Sequence, residues 1–158
     1  MVDFVTVFQR ERIDVIFDEV AALAEGAHHL EISYPGEHPL KLDRDAYAHG
    51  EASGAYRFFT ARQQDTGRLI GYAGFWVLPT AHHVGVIQAC QDGVYVDPDF
   101  RCGELGSDLI KYADDNLRAE GVDVVLHFVR HFRRDFGPVL RRLGYQPIEQ
   151  VWAKHLKD

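Results

Sequence analysis

Apolar and polar positions alternate through "VDFVTVF" (2–8), the pattern of a strand with one buried face. From Glu11 the rhythm changes. Ile13, Ile16, Phe17, Val20 and Ala24 recur at helical spacing, and Gly26 supplies a stop. Residues 26–55, rich in Gly, His, Pro and Asp, predict one short helix near 43–50 within a surface-lying region where binding residues gather. "YRFFTARQ" (56–63) and "RLIGYAGFWVL" (68–78) flank "QDTG" and predict a hairpin. "VGVIQACQDGVYV" (84–96) reads as a third long strand, in which Gly93 predicts a bulge or a close backbone approach. Leu105, Leu109, Ala113 and Leu117 form the apolar stripe of a helix that Gly121 ends. "VDVVLHFVR" (122–130) is apolar on both faces and predicts a central, covered strand. "GPVLRRLG" (137–144) is a short helix with Pro138 near its start and Gly144 past its end, and "YQPIEQVWAKHL" supplies one or two closing strands. The order β-α-(loop/α)-β-β-β-α-β-α-β predicts an α/β fold, a mixed sheet with helices on both faces.

Composition sets limits on this picture. A chain of 158 residues, 46% hydrophobic and 12% aromatic, has enough core for one domain, 1–158, and no room for a second. The formal charge is −7 and the pI about 5.7, so no broad basic surface awaits a nucleic acid. No apolar run approaches the roughly 20 residues that span a bilayer, so no membrane partner is expected. "MVDFVTVFQRER" lacks a cationic segment followed by an apolar one, so no signal peptide is read there. Cys90 and Cys102 lack CxxC spacing, which fits a reducing compartment and a cytoplasmic location. Histidines occur as the consecutive pairs His28-His29 and His82-His83 rather than at the i, i+4 spacing of helical metal ligands, so no metal is expected.

"VDPDFRCGELGSDLIKYAD" (96–114) carries the clearest chemical signal. A strand ends, Arg101 precedes two glycines, and a helix begins at once. The first amides of a helix lack intrahelical partners and sit at the positive end of its dipole, so a phosphate settles there readily. Turn geometry alone also places glycines before helices. Both readings stand on this feature taken by itself.

"GVYVDPDFRCGELGSDLIKYADDNLRAEGV" (93–122) resembles the acetyl-CoA-binding segment of the GNAT N-acetyltransferases, and "VLRRLGYQPIE" (139–149) is similar to their helix-LGF-strand ending. The order of elements agrees over nearly the whole chain. "EIS", "PLKLD", "TARQ", "AHH", "QACQDGVYVDPDFR" and "RRDFGPVLRRLGYQPI" further resemble a phage-encoded branch of that family. The family loop reads Gln/Arg-x-x-Gly-x-Gly/Ala. Here it is Arg101-Cys102-Gly103-Glu104-Leu105-Gly106, with Glu104 in place of the first Gly and Gly103 one position earlier.

The resemblance implies a GNAT fold and direct acetyl transfer from acetyl-CoA, as cosubstrate, to an amine on a small molecule or protein. It implies that the backbone of Val94, Tyr95 and Val96 pairs with the pantetheine arm. Amides of Cys102, Gly103, Glu104, Leu105, Gly106 and Ser107 would hold the pyrophosphate, with Arg101 adding a charged contact. Such chemistry needs a base to unmask the amine. Asp92, on the same strand face as Cys90 at the family's usual acidic position, is the first candidate; capping the Gly93 break is its other reading. His127 is the second, or else a core histidine. His28, His29, Glu31 and His83 would face the acceptor. Leu140 falls where the family has its acidic tyrosine, and a thiolate of pKa near 8.5 can leave without one. "RHFRRD" (130–135) would reach the CoA phosphates or form a solvated face. The alternative is a catalytically degenerate GNAT-fold module that binds CoA or a protein, and a homodimer is compatible with either.

Overall fold

A computed structural model describes residues 5–31, 36–101, 103–130 and 135–156, the side chains of 26–31 excepted. One five-stranded sheet runs in chain order: β1 (Thr6–Arg10), β2 (Tyr56–Gln63), β3 (Leu69–Pro79), β4 (Ile87–Val96) and β5 (Val124–Leu126). The first four strands are antiparallel to their neighbours, and β5 lies parallel to β4. The helices are α1 (Phe17–Glu31), α2 (Arg44–Ser53), α3 (Leu105–Ala119) and α4 (Gly137–Arg142).

Strand alternation explains the two cores. Phe59, Ala61, Ala73, Phe75 and Ala89 face the predicted stripe of α3, with Leu109, Ala113 and Leu117 wholly buried. Tyr56, Phe58, Tyr72 and Tyr95 face the other way, against Val20 and Ala24 of α1. The sheet is thus covered on both faces. α2 begins at Asp43, whose carboxylate accepts the amides of Asp45 and Ala46, and ends at Gly54 in the left-handed conformation.

Several boundaries differ from the sequence reading, the first being that α1 runs through Gly26, the expected stop, as far as Glu31, since one glycine weakens a helix without ending it. α1 begins at Phe17 rather than near Glu11, because residues 13–15 turn: buried Ile13 donates its amide to the Glu51 carboxylate, 3.1 Å away. β4 begins at Ile87, since residues 81–85 form exposed turns. The segment 122–130 holds a three-residue edge strand instead of a central one. Its ladder stops at Cys90↔Leu126, and Val124 and Phe128 are exposed. Residues 145–156 form no strand, and Ile148, Val151, Trp152 and Leu156 stand in solvent. The apolar pattern there marked β-propensity, but no described strand edge lies alongside to satisfy it.

Candidate active site

The site begins with an irregularity in β4. Gly74 pairs with Gly93 and Phe75 with Gln91, which leaves Asp92 as the extra residue of a β-bulge. The bulge turns two consecutive residues to one face. Asp92 meets the tyrosines of the α1 side, and a side chain added at Gly93 would meet the Tyr72 ring at 3.4 Å. Beyond it, β4 leaves the β5 ladder, so Gly93–Val96 present one backbone edge to a cavity rather than to a strand.

That cavity, about 420 Å³, joins two different ends. One is the start of α3, with Gly103, Leu105, Gly106 and Ser107 beside Arg101 and Arg142. The other lies under α1 and α2, with Tyr47, Tyr56 and Tyr72 around Asp92. Residues 93–96 line the passage between them.

At the aromatic end, the hydroxyls of Tyr47 and Tyr56 both donate to Oδ2 of Asp92, at 2.7 and 2.9 Å. Two donors on one oxygen restrain the carboxyl group's orientation and leave Oδ1 without a hydrogen bond among the described residues. Burial, reinforced by the negative charge of Asp92, holds both phenols far above their ordinary pKa, so they remain donors at any working pH. Close packing fixes the rings. Tyr56 lies 5.0 Å from the Tyr47 ring and 4.8 Å from that of Trp76. A side chain at Gly50 would come within 2.7 Å of Trp76, and one at Gly74 would collide with the Tyr56 hydroxyl. Neither position has space for a Cβ: Gly50 of α2 lies against Trp76 of β3, and Gly74 of β3 lies under the Tyr56 side chain of β2.

At the other end, the first intrahelical bond of α3 runs from the Asp108 amide to Glu104, so the amides of Leu105, Gly106 and Ser107 precede the ladder. A Cβ at Gly106 would meet no atom within 4 Å outside its own stretch of helix, and Gly106 lines the cavity. Gly103 has φ of 65°, a conformation that suits glycine. The Glu104 carboxylate lies 3.9 Å from Arg142, which offsets an anion at a helix start. Arg101 reaches back, donating Nε to the Val96 carbonyl at 2.7 Å with its guanidinium over the Tyr95 ring.

The remaining candidates lie elsewhere. His127 packs among the rings of Phe75, Phe136 and Tyr145, with Nδ1 2.7 Å from the Gln91 amide oxygen and Nε2 buried without a hydrogen-bond partner among the described residues. Burial lowers its pKa to about 4, so the ring is neutral near pH 7. Gln91 lines the cavity, whereas His127 stands behind it. His83 is in the exposed turn before β4, away from the cavity wall. The side chains of His28, His29 and Glu31, all of Cys102, and residues 131–134 of "RHFRRD" lie outside the described residues. Leu140 is buried, and α4 turns Val139 and Arg142 to the cavity instead. The Tyr145 hydroxyl donates to Asp114. Among the described residues, no three His, Cys, Asp or Glu side chains gather as a metal site requires.

Sequence reading missed Tyr47, Tyr56 and the ion pair of Arg130 with Glu37, whose Oε1 and Oε2 both lie 2.9 Å from Nη1. Tyr47 and Tyr56 stand 45 and 36 positions from Asp92, beyond the reach of any local spacing rule.

The family model for GNAT acetyltransferases matches residues 23–145, and the chain belongs to that family. Solved structures agree in fold. A Trypanosoma brucei acetyltransferase is 19% identical with a TM-score of 0.72, covering 96% of this chain and 100% of its own. An aminoglycoside acetyltransferase from an uncultured soil metagenomic sample, solved with sisomicin, is 15% identical with a TM-score of 0.73, covering 96% and 95%. A predicted acetyltransferase of Clostridium acetobutylicum, solved with acetyl-CoA, is 12% identical with a TM-score of 0.72, covering 96% and 97%. No curated protein matches the sequence. Among the described residues, no helix is long and apolar enough to cross a membrane.

Proposed function

We propose that this chain is an N-acetyltransferase that moves an acetyl group from acetyl-CoA directly to an amine, with Asp92 as the base. One observation carries the reading: a single cavity connects the start of α3 to the Asp92 carboxylate along Gly93–Val96, the part of β4 that lies beyond its ladder with β5. The residues present fit the cosubstrate. The helix-start amides of Leu105, Gly106 and Ser107, residues that line the cavity with open space at the Gly106 Cβ position, suit a pyrophosphate. The strand edge Val94, Tyr95 and Val96 suits the amide groups of a pantetheine arm, which would add to the sheet like a further strand. Arg142 supplies positive charge at the same end, and Arg101 braces the last residue of that edge. When bound, acetyl-CoA supplies a thioester carbonyl.

Amines are mostly protonated at neutral pH and must lose a proton before they attack. Oδ1 of Asp92 takes that proton, directly or through one water, while Tyr47 and Tyr56 hold the carboxyl group still. The acceptor nitrogen forms the new C–N bond as the C–S bond breaks, and the thiolate departs without an acid, consistent with leucine at position 140. His127 has a neutral ring among aromatic side chains, which suits it to holding Gln91 in place.

Asp92→Asn tests the assignment. Turnover with a responsive amine should fall about 10²-fold or more, while acetyl-CoA affinity stays nearly intact. Unchanged kcat across the pH range would remove Asp92 from the chemistry. Acetyl-CoA binding with no CoA release for any amine would instead support a non-catalytic module.

A further inference from the structure

Resting on the transferase reading, we infer that the acceptor is a monoamine whose single ammonium sits on an apolar alkyl or aryl body. The wall beyond Asp92 consists of Ile13, Val20, Ala24, Leu40, Leu42 and Phe58, closed by the tyrosine rings. The described charged groups near that wall are Asp92 and Glu37, and Glu37 is held by Arg130. Among the described residues no cation pairs with Asp92, so its charge is matched by what enters the cavity. One carboxylate at the mouth of an apolar pocket selects one positive charge. A second ammonium, five or six bonds away, would be stripped of water against leucine and isoleucine with no counter-charge. Sugar hydroxyls would lose their water partners too, since the Tyr47 and Tyr56 protons are already given to Asp92.

Hexylamine and cadaverine provide a matched pair: equal length, with a terminal methyl in one and a second ammonium in the other. The full chain is incubated with saturating acetyl-CoA and each amine, together with 2-phenylethylamine and glucosamine, and thiol release is followed. The inference expects kcat/KM for hexylamine and 2-phenylethylamine to exceed that for cadaverine and glucosamine by about 30-fold or more, a separation within reach of one uncompensated charge. Equal or greater activity with cadaverine or glucosamine overturns the inference and leaves acetyl transfer standing. Calorimetric titration of the same amines separates the converse failure. Preferential binding of hexylamine without thiol release upholds the pocket assignment and sinks the transferase reading, whereas no binding and no release of the monoamines overturns the inference. Leu40→Asp, at a half-buried wall position, should raise cadaverine relative to hexylamine by about 10-fold. A folded L40D protein with the wild-type ratio would show that this wall does not touch the acceptor.

Discussion

Asp92 and His127 both stand near the end of the β4–β5 ladder, and their surroundings assign them different chemistry. Asp92 is exposed to the cavity with two phenol donors, whereas His127 is enclosed by aromatic rings. An imidazole whose folded pKa is about 4 binds its proton first in the unfolded chain, where the ordinary value near 6.5 applies. Its contribution is therefore flat above pH 6.5, and stability is lost as pH falls from there toward 4. Linkage puts the loss at about 3 kcal/mol by pH 4. Denaturant unfolding of wild type and His127→Gln at pH 7, 5.5 and 4.5 isolates it: the variant should show the shallower acid decline, since its amide can still meet Gln91 without titrating. Parallel declines would mean that the ring is protonated in the folded state. At this scale the sequence offered Asp92 as a base because it shares a strand face with Cys90, which stands at the family's usual acidic position. It offered no sign of Tyr47 and Tyr56, because a hydroxyl that acts across the sheet has no signature in linear spacing.

Among the elements, the start of α3 is where the reading of "RCGELG" becomes a physical device. Gly106 has an ordinary helical conformation and open space where a Cβ would stand. Glycine inside a helix costs up to about 1 kcal/mol relative to alanine. Gly106→Ala should therefore stabilise the protein without ligand by up to ~1 kcal/mol, yet weaken acetyl-CoA about 10-fold or more, because the methyl stands where phosphate oxygens would meet the amides. Melting curves with and without acetyl-CoA check both signs. Equal gains in both would show that nothing approaches the helix start at that position. The apolar stripe of α3 and the Gly93 irregularity were legible because each is local: a 3.6-residue period, and a residue that relieves a strand. The β5 and C-terminal readings failed for the complementary reason. Apolar alternation reports that a segment would fit a sheet, not whether an edge is there to receive it.

For the molecule as a whole, one cavity between α3 and the α1–α2 face should couple cosubstrate binding to global stability. Acetyl-CoA at 100 times its dissociation constant should stabilise the fold by about 2.7 kcal/mol. For a domain of this size the melting temperature should rise by about 5–10 °C. CoA fragments that lack the pyrophosphate should shift it little. No shift and no calorimetric heat at millimolar acetyl-CoA would remove the functional proposal altogether.

The linear pattern of this chain determined its helices, its hairpin, its mixed sheet covered on both faces, and a loop built like a phosphate cradle. These are short-range matters of period, turn residues and backbone freedom, and one sequence contains them in full. Only the tertiary structure decided that Asp92 would be the bulged residue, that Tyr47 from α2 and Tyr56 from β2 would both bond its Oδ2, and that His127 would be enclosed behind Gln91. The placing of the two tyrosines depends on how closely α2 packs on Trp76 across Gly50 and on the room that Gly74 of β3 leaves for Tyr56. Such an approach is set by the packing of residues far apart in the chain, which no local pattern encodes.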